Sequence, residues 1–269
     1  MGSKKCCLIM TLMWLNICVL SANKKATNFV PQKTQGALEK IYAVMITGKD
    51  DFHKQLAEKS VESFLQQTYP NKHLIIINDG NYSLGHLHKE LITEIKLDKK
   101  YILGVLRNMG IKQIPENGIY LQWDDDDWHH SSLMEKQYAY MKAQAADACI
   151  LRSQVVYSFE KNAAWISSPK RPIMGKPRRG IEGTIMCRRK SDISYPVMAK
   201  SEDRVFINKY AKKYKFVVWK NPDFYYLRFI HGHNTWNDSH FSIDRRQQDS
   251  WLIPEASRIY LAKIMNLFT

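Results

Sequence analysis

The chain has 269 residues, of which 45% are hydrophobic and 25% charged, which fits one large folded domain and excludes a chain that is disordered over most of its length. Lys and Arg number 40 against 26 Asp and Glu, and the resulting formal charge of +14 favours anionic ligands such as nucleotides, nucleic acid or an acidic membrane face. The sequence contains no zinc finger, RNA-binding signature or long basic helix, so nucleic acid ranks below nucleotides among these ligands.

The N-terminus has the pattern of a targeting segment. Two lysines precede an apolar run from Cys6 to Leu20, and two small residues follow it. The run is shorter than the roughly 20 apolar residues of a membrane span. It therefore predicts a signal peptide over residues 1–22, with an uncleaved signal anchor as the alternative, followed by a polar linker over residues 23–38. We expect this segment to direct the protein to the secretory pathway or to attach it to a membrane. The cytoplasmic face of a membrane stays open as an alternative location.

Residues 39–146 alternate between strand and helix patterns. Ile41–Thr47 is a continuous apolar run, which is typical of a central strand covered on both faces. Apolar residues between 52 and 65 then recur at helical spacing. The same reasoning predicts further strands at 74–77, 101–106 and 119–123, and helices at 86–95 and 131–146. This alternation predicts an α/β domain with a mostly parallel central sheet.

The second half is less regular. Residues 168–180 are rich in proline, glycine and basic residues, which predicts a loop, either a solvated connection or an anion-contacting lid. A helix is predicted from Glu202 to Tyr214, and strands at 183–188, 216–219 and 224–230. Residues 241–269 are predicted to form a helical extension, amphipathic from Pro254 to Phe268, that packs on the domain.

Polar residues follow the ends of three of the predicted strands. Thr47 ends one strand, Asp79 follows another, and the run Asp124–Asp127 follows a third. In open α/β sheets, ligands bind beyond the carboxyl ends of the strands. Clustered carboxylates repel one another unless a cation or a proton intervenes, and their oxygens suit Mg²⁺ or Mn²⁺. The run therefore predicts metal-assisted chemistry on a phosphorylated substrate, with a solvated acidic loop as the alternative.

Taken in order, these segments resemble the inverting family 2 glycosyltransferases. The resemblance covers residues 40–240 and implies a single Rossmann-like nucleotide-sugar-binding domain of the A type at 39–240, with a central mostly parallel sheet and an α+β extension on the acceptor side. Six motifs carry the resemblance: Val44–Asp50, Ser63–Pro70, Leu74–Gly80, Leu106–Gly110, Trp123–Trp128 and Ser201–Asp203.

The resemblance also implies roles for individual residues. Asp203 is expected to be the general base, with Glu202 beside it in the catalytic pair. The residues expected to bind the nucleotide sugar are Thr47, Asp79, Arg107, Asn108, Asp124 and Asp125. The candidate ligands of a Mn²⁺ or Mg²⁺ ion are Asp126, Asp127, His231 and His233. Four consecutive aspartates leave the register of the DxD pair open between Asp124, Asp126 and Asp127.

The predicted function is metal-dependent, inverting transfer of a hexosyl or N-acetylhexosaminyl group. The donor would be UDP- or GDP-linked, and the acceptor a hydroxyl of a glycan, lipid or protein. A divalent ion stabilises the leaving diphosphate, so one carboxylate suffices to take the proton of the attacking hydroxyl. A glycosidase would instead place two carboxylates beside the bond. The alternatives are a metal-dependent phosphohydrolase or nuclease, and a non-catalytic nucleotide-sugar-binding protein.

Overall fold

The computed structural model describes residues 38–48, 50–168 and 180–234, together with residue 261. The strands in chain order are β1 (Ile41–Thr47), β2 (Lys72–Asn78), β3 (Ile92–Lys96), β4 (Ile119–Asp124), β5 (Asp127–His129), β6 (Ala148–Leu151), β7 (Gln154–Ser158), β8 (Ala163–Ser167), β9 (Met186–Arg188), β10 (Phe216–Trp219) and β11 (Tyr226–Ile230). The α-helices are α1 (Asp51–Leu65), α2 (Leu103–Lys112), α3 (Leu133–Ala143) and α4 (Glu202–Lys213).

A seven-stranded sheet forms the centre of the fold, in the order β10-β6-β9-β4-β1-β2-β3. Strand β1 pairs in parallel with both β2 and β4, β2 pairs in parallel with β3, and β10 pairs in parallel with β6. Only β9 runs antiparallel to its neighbours in this sheet, between β4 and β6. The predicted α/β fold with a mostly parallel central sheet is confirmed.

Both faces of the central sheet are buried by helices. Helices α1 and α3 contribute Ala57, Phe64, Met134 and Tyr138 to the apolar cluster on one face. Helices α2 and α4 contribute Leu106, Ile111, Phe206 and Tyr210 to the cluster on the other. This double covering explains why β1 and β2 are almost continuously apolar.

A second, four-stranded sheet has the order β5-β11-β7-β8. Strand β11 pairs antiparallel with β5 and parallel with β7. Because β5 begins three residues after β4 ends, the aspartate run Asp124–Asp127 forms the turn from the central sheet into the second one. The carboxylates of this turn therefore lie where the two sheets meet.

Two predicted elements are wrong. Residues 86–95 do not form a helix, since the chain turns through 86–91 and then forms the edge strand β3. The carboxylate of Glu94 explains this, because it accepts hydrogen bonds from the backbone N–H groups of Leu84 and Gly85 and from the Asn78 amide. Residues 101–106 do not form a strand either, because helix α2 begins at Leu103.

Helix α2 contains two glycines, which weaken the helical pattern in the sequence. The structure shows why they are there. A Cβ on Gly104 would lie 1.9 Å from the Pro196 carbonyl oxygen, and a Cβ on Gly110 would lie 2.3 Å from Val44 Cγ1. The helix is held by close packing against β1 and the 196–198 segment rather than by intrinsic propensity.

Several predictions fall on residues that the structure does not describe. They are the targeting segment at 1–22, nearly all of the linker at 23–38, most of the basic loop at 168–180 and most of the extension at 241–269. In the last of these, Leu261 is described as helical and packs against the apolar cluster of the second sheet. The domain limits of 39 and 240 stay a prediction.

The predicted location in the secretory pathway or on a membrane is corrected. Within the described ranges, no helix combines the length and the apolar character that crossing a membrane requires. On this finding, the prediction made from the N-terminal segment is wrong.

Candidate active site

A cleft of about 750 Å³ opens at the carboxyl ends of β1, β2 and β4. This is the edge at which the sequence places its polar strand ends, and the structure brings all three of them together. The opposite wall comes from the short 3₁₀ helix Glu182–Thr184, the first turn of α4 and strand β11. The charged lining residues are Asp79, Lys100, Arg107, Asp124, Asp125, Asp126, Glu182, Lys200, Glu202, Asp203, Arg204 and Arg228.

One end of the cleft is formed where β1 and β2 end side by side. Gly48 has a φ of 130°, and a Cβ there would lie 2.3 Å from the backbone nitrogen of Gly80, so only glycine fits. Asp79 accepts a hydrogen bond of 3.0 Å from Lys100 Nζ. The hydroxyl of Thr47 lies 2.7 Å from that of Tyr82. This end presents a hydroxyl and a carboxylate on rigid strand ends.

Arg107 lies beneath the floor of the cleft and connects two of its walls. Its Nε donates to Glu202 Oε1 at 2.8 Å, and its Nη2 donates to Asp124 Oδ1 at 3.3 Å. Burial raises the pKa of Glu202, against the opposing attraction of Arg107. Glu202 is 3% exposed and is held by this ion pair, so its carboxylate serves to fix α4 against α2.

Asp203 follows Glu202 in the first turn of α4 and faces the cleft. Its Oδ1 accepts a hydrogen bond of 2.6 Å from the backbone N–H of Arg204. Within the described parts of the chain, no other hydrogen bond or ion pair involves this carboxylate. Glu182 lies nearby, and its pKa is raised by burial and by the charge of Asp203. Asp203 thus differs from its neighbour Glu202, whose carboxylate is already held in the ion pair with Arg107.

Asp126 lies between two histidines at the junction of the two sheets. One ligand atom from each of His53, Asp126 and His231 lies within 4.8 Å of the others, and the same holds for Asp50, His53 and His233. Asp126 Oδ2 is 3.2 Å from His231 Nε2. Burial opposes ionisation of Asp126, but the hydrogen bond and charge of His231, together with the charges of Arg228 and His53, lower the pKa of this carboxyl.

Four of the residues expected in the site do not line the cleft, and two of them, His231 and His233, contact Asp126 and Asp50 beside it. Asp127 is buried behind the cleft, where it accepts hydrogen bonds from the Tyr226 hydroxyl and from the backbone N–H of Phe229. Asn108 lies on α2, and its amide forms two hydrogen bonds of 2.9 Å with the backbone of Tyr195. Asp125 does line the cleft, and its pKa is raised by burial and by the charge of Asp126.

The sequence reasoning missed several residues of this cleft, among them Lys100, Arg228, His53 and Glu182. Arg228 is a charged residue within an apolar strand, and that pattern could have indicated a buried functional cation. His53 comes three residues after a helix-capping aspartate, which offers only a faint signal. Glu182 follows a loop and carries no pattern at all, so only the fold reveals it.

Known proteins share both the fold and the sequence pattern. The chain resembles the crystal structure of S. aureus TarS 1–349 in complex with UDP, with 13% identity and a TM-score of 0.56 over 84% of this chain and 78% of that one. It also resembles the mannosyltransferase PcManGT from Pyrobaculum calidifontis in complex with GDP-Man and Mn²⁺, with 12% identity and a TM-score of 0.51 over 71% and 57% of the two chains. At such identities, structural likeness shows the fold alone.

The fold is therefore that of the A-type glycosyltransferases. The sequence model of glycosyl transferase family 2 matches residues 44–247, and the chain belongs to that family. A curated relative from Haemophilus influenzae, described as an uncharacterized glycosyltransferase, is 35% identical over 97 residues. The match covers 33% of this chain and 29% of that relative.

Proposed function

We propose that the protein transfers a sugar from a nucleoside-diphosphate donor to an acceptor hydroxyl, with inversion and with the help of a divalent cation. The observation that carries the proposal is the position of Asp203. It lies across the cleft from the strand-end carboxylates, with one oxygen not engaged by the described residues. Solved structures of the same fold contain UDP-GlcNAc, or GDP-Man with Mn²⁺, which supports a nucleotide-sugar donor here.

The donor is proposed to lie along the ends of β1, β2 and β4. Thr47 and Asp79 offer a hydroxyl and a carboxylate to the base and ribose. Lys100 and Arg228 line the same cleft and bring positive charge for the diphosphate. The overall charge of +14 also favours binding of such an anion. A donor screen decides between a hexosyl and an N-acetylhexosaminyl group, and between UDP and GDP as the nucleotide.

The cation is proposed to bind Asp126 and His231. Their ligand atoms are 3.2 Å apart and Asp126 lines the cleft, so one ion can contact both. Carboxylate oxygen suits Mg²⁺ and Mn²⁺, and adding an imidazole favours Mn²⁺. When bound, such an ion acts as a Lewis acid that stabilises the negative charge of the leaving diphosphate.

Asp203 is proposed to remove the proton from the acceptor hydroxyl as it attacks the anomeric carbon. A general base must come within hydrogen-bonding distance of that proton, and Asp203 faces open space in the cleft. Glu202 cannot substitute for it without breaking its ion pair with Arg107. A single base opposite the diphosphate is the arrangement that one in-line displacement with inversion needs.

The test is a donor screen with the full chain. Each UDP- and GDP-sugar is added with Mn²⁺ or with EDTA, and thermal stabilisation and slow release of free sugar are measured. Stabilisation by one donor in the presence of Mn²⁺ supports the proposal and identifies the sugar. No response to any donor, with stabilisation by a polynucleotide and metal-dependent cleavage of it, would replace the proposal with the nuclease alternative.

A further inference from the structure

We propose that His53 is a third protein ligand of the cation, so that His53, Asp126 and His231 bind it before any nucleotide arrives. The inference rests on the proposed function, because it concerns the same cation. It goes further in assigning a ligand from helix α1 and an order of binding. It also assigns Asp50 as the residue that orients His53.

His53 lies in the first turn of α1 with its side chain only 5% exposed. Its ring centroid is 5.4 Å from that of His231, and the two rings are nearly perpendicular. One of its ring nitrogens lies within 4.8 Å of a ligand atom of Asp126 and of His231. An ion at about 2.1 Å from each of three ligands needs ligand atoms about 3–4 Å apart, so small side-chain adjustments suffice.

Asp50 determines how the His53 ring is oriented. As the N-cap of α1, its Oδ1 accepts the backbone N–H of His53 at 2.8 Å and lies 2.8 Å from His53 Nδ1. A proton on Nδ1 satisfies this contact and leaves Nε2 as the unprotonated ring nitrogen. Metal-binding histidines commonly donate their second ring N–H to a carboxylate in this way, which fixes the tautomer and makes the ligand more basic.

The hydrogen bonds of His231 place a proton where the cation would bind. His231 Nδ1 accepts a hydrogen bond of 3.3 Å from the backbone N–H of His233, so the proton of the neutral ring lies on Nε2, which is 3.2 Å from Asp126 Oδ2. The Asn234 amide also donates to Asp126 Oδ2 at 3.2 Å. A cation bound to His231 and Asp126 would take the place of the Nε2 proton.

A cation with only two protein ligands depends on the diphosphate to complete its binding. Three ligands from separate elements, α1, the β4–β5 turn and the end of β11, form a site that exists in the free protein. We therefore expect Mn²⁺ to bind without nucleotide. The neighbouring group of Asp50, His53 and His233 is the competing position, but the His233 side chain is 52% exposed.

The experiment measures Mn²⁺ binding to the full chain without nucleotide, from the loss of the electron paramagnetic resonance signal of the free ion. The variants are His53→Ala, His231→Ala, His233→Ala and Asp50→Asn, since asparagine retains the helix cap but lacks the charge. His86→Ala, at an exposed turn residue, is the matched control. Thermal unfolding without metal verifies that each variant is folded.

We expect His53→Ala and His231→Ala to weaken Mn²⁺ binding strongly, and Asp50→Asn to weaken it about 10- to 100-fold. His233→Ala and His86→Ala should bind like the original protein. Unchanged binding in His53→Ala overturns this inference alone, as does Mn²⁺ binding that appears only after UDP or GDP is added. A loss in His233→Ala with none in His231→Ala also overturns it, in favour of the competing position. Absence of Mn²⁺ binding with and without nucleotide would count against the metal dependence of the proposed function itself.

Discussion

Arg107 and Glu202 form a buried ion pair, with Arg107 Nε donating to Glu202 Oε1 at 2.8 Å although 95 residues separate them in sequence. Their side chains are 8% and 4% exposed. The pair connects helix α2 to the first turn of α4, one residue before Asp203. The position of the proposed base is therefore determined by a contact made by its neighbour.

Replacing Arg107 with methionine should destabilise the fold strongly. The change leaves the carboxylates of Glu202 and Asp124 buried without their shared cation, and removing one partner of a buried pair costs about 3–5 kcal/mol. Urea unfolding measures the effect. Arg189→Met is the control, because its partner Glu116 is largely exposed and the expected loss is below about 1 kcal/mol. Similar losses of unfolding free energy in both variants would show that the buried pair contributes no more to stability than the exposed one.

Asp203→Asn should abolish transfer while leaving donor binding intact. Removal of a general base lowers kcat by about 10²- to 10⁴-fold, and asparagine retains the size of the side chain. The measurements are kcat with the donor found in the screen and the thermal shift that this donor produces. Asp192→Asn, on the surface beside Lys213, is the control. If Asp203→Asn remains fully active, the base is another carboxylate, and Glu182 would be the next to test.

Asp127→Asn should affect stability rather than metal binding. In the structure this carboxylate accepts hydrogen bonds from Tyr226 and from the backbone of Phe229, behind the cleft. Burial raises the pKa of Asp127 to about 8, and loss of part of the hydrogen bonding of this buried acceptor costs about 1–3 kcal/mol in the free energy of unfolding. Mn²⁺ affinity should stay unchanged, whereas Asp126→Asn should reduce it. A reduced affinity in Asp127→Asn with unchanged stability would restore Asp127 as a ligand.

Gly48→Ala should weaken nucleotide binding as well as the fold. The new Cβ would lie 2.3 Å from Gly80 N and 2.5 Å from Asp79 Oδ1, at a φ of 130° that L-residues rarely adopt. The backbone strain alone costs about 1–3 kcal/mol, and the collision displaces Asp79. Gly232→Ala separates the two effects in urea unfolding, because Gly232 has a φ of 76° but a Cβ added there would meet nothing within 4 Å among the described residues. Equal stability losses would mean that the β1 and β2 ends can move apart without cost.

The ion pair between Glu39 and Arg188 should make stability depend on acid pH. The hydrogen bond from Arg188 is the main cause that lowers the pKa of Glu39 from 4.5 to about 2. Because the folded-state pKa lies below the unfolded one, this contribution is present above about pH 4.5 and is lost as the pH falls towards 2.

Glu39→Gln should therefore lower stability at pH 7 and flatten its decline between about pH 5 and 2. The pair is partly exposed, so we expect a loss of about 1 kcal/mol. Urea unfolding at several pH values tests this. An unchanged slope in Glu39→Gln would show that other carboxylates cause the acid sensitivity.

The sequence predicts the elements that are continuous apolar runs and are buried on both faces of the sheet. Strands β1, β2 and β4 are such runs, and their polar ends meet in the cleft as expected. Edge strand β3 escapes prediction because Thr93, Glu94 and Lys96 interrupt its apolar pattern. Helix α2 escapes it because the tight packing at its glycines is a tertiary property.

Within the site, the sequence could not distinguish four consecutive aspartates. Their directions follow from the turn between two sheets, which sends Asp127 towards Tyr226 and leaves Asp126 beside His231. Asn108 lies one residue beyond Arg107, and one step along a helix turns a side chain by about 100°, away from the cleft. Only the folded structure identifies His53 as a site residue, because it brings the start of α1 next to Asp126 and His231, which are distant in sequence.

The two walls of the cleft come from separate stretches of the chain. Residues up to Asp126 supply the strand ends proposed for the donor, whereas Glu182, Asp203 and Arg228 come from the later part. Arg228 and His231, also in the later stretch, are proposed to contact the diphosphate and the cation, but mutations elsewhere in it can change which hydroxyl is accepted while the nucleotide contacts persist. Such a protein can acquire new acceptors during evolution without first having to rebuild its donor recognition, and chimeras joined between the two stretches provide a route to engineered specificity.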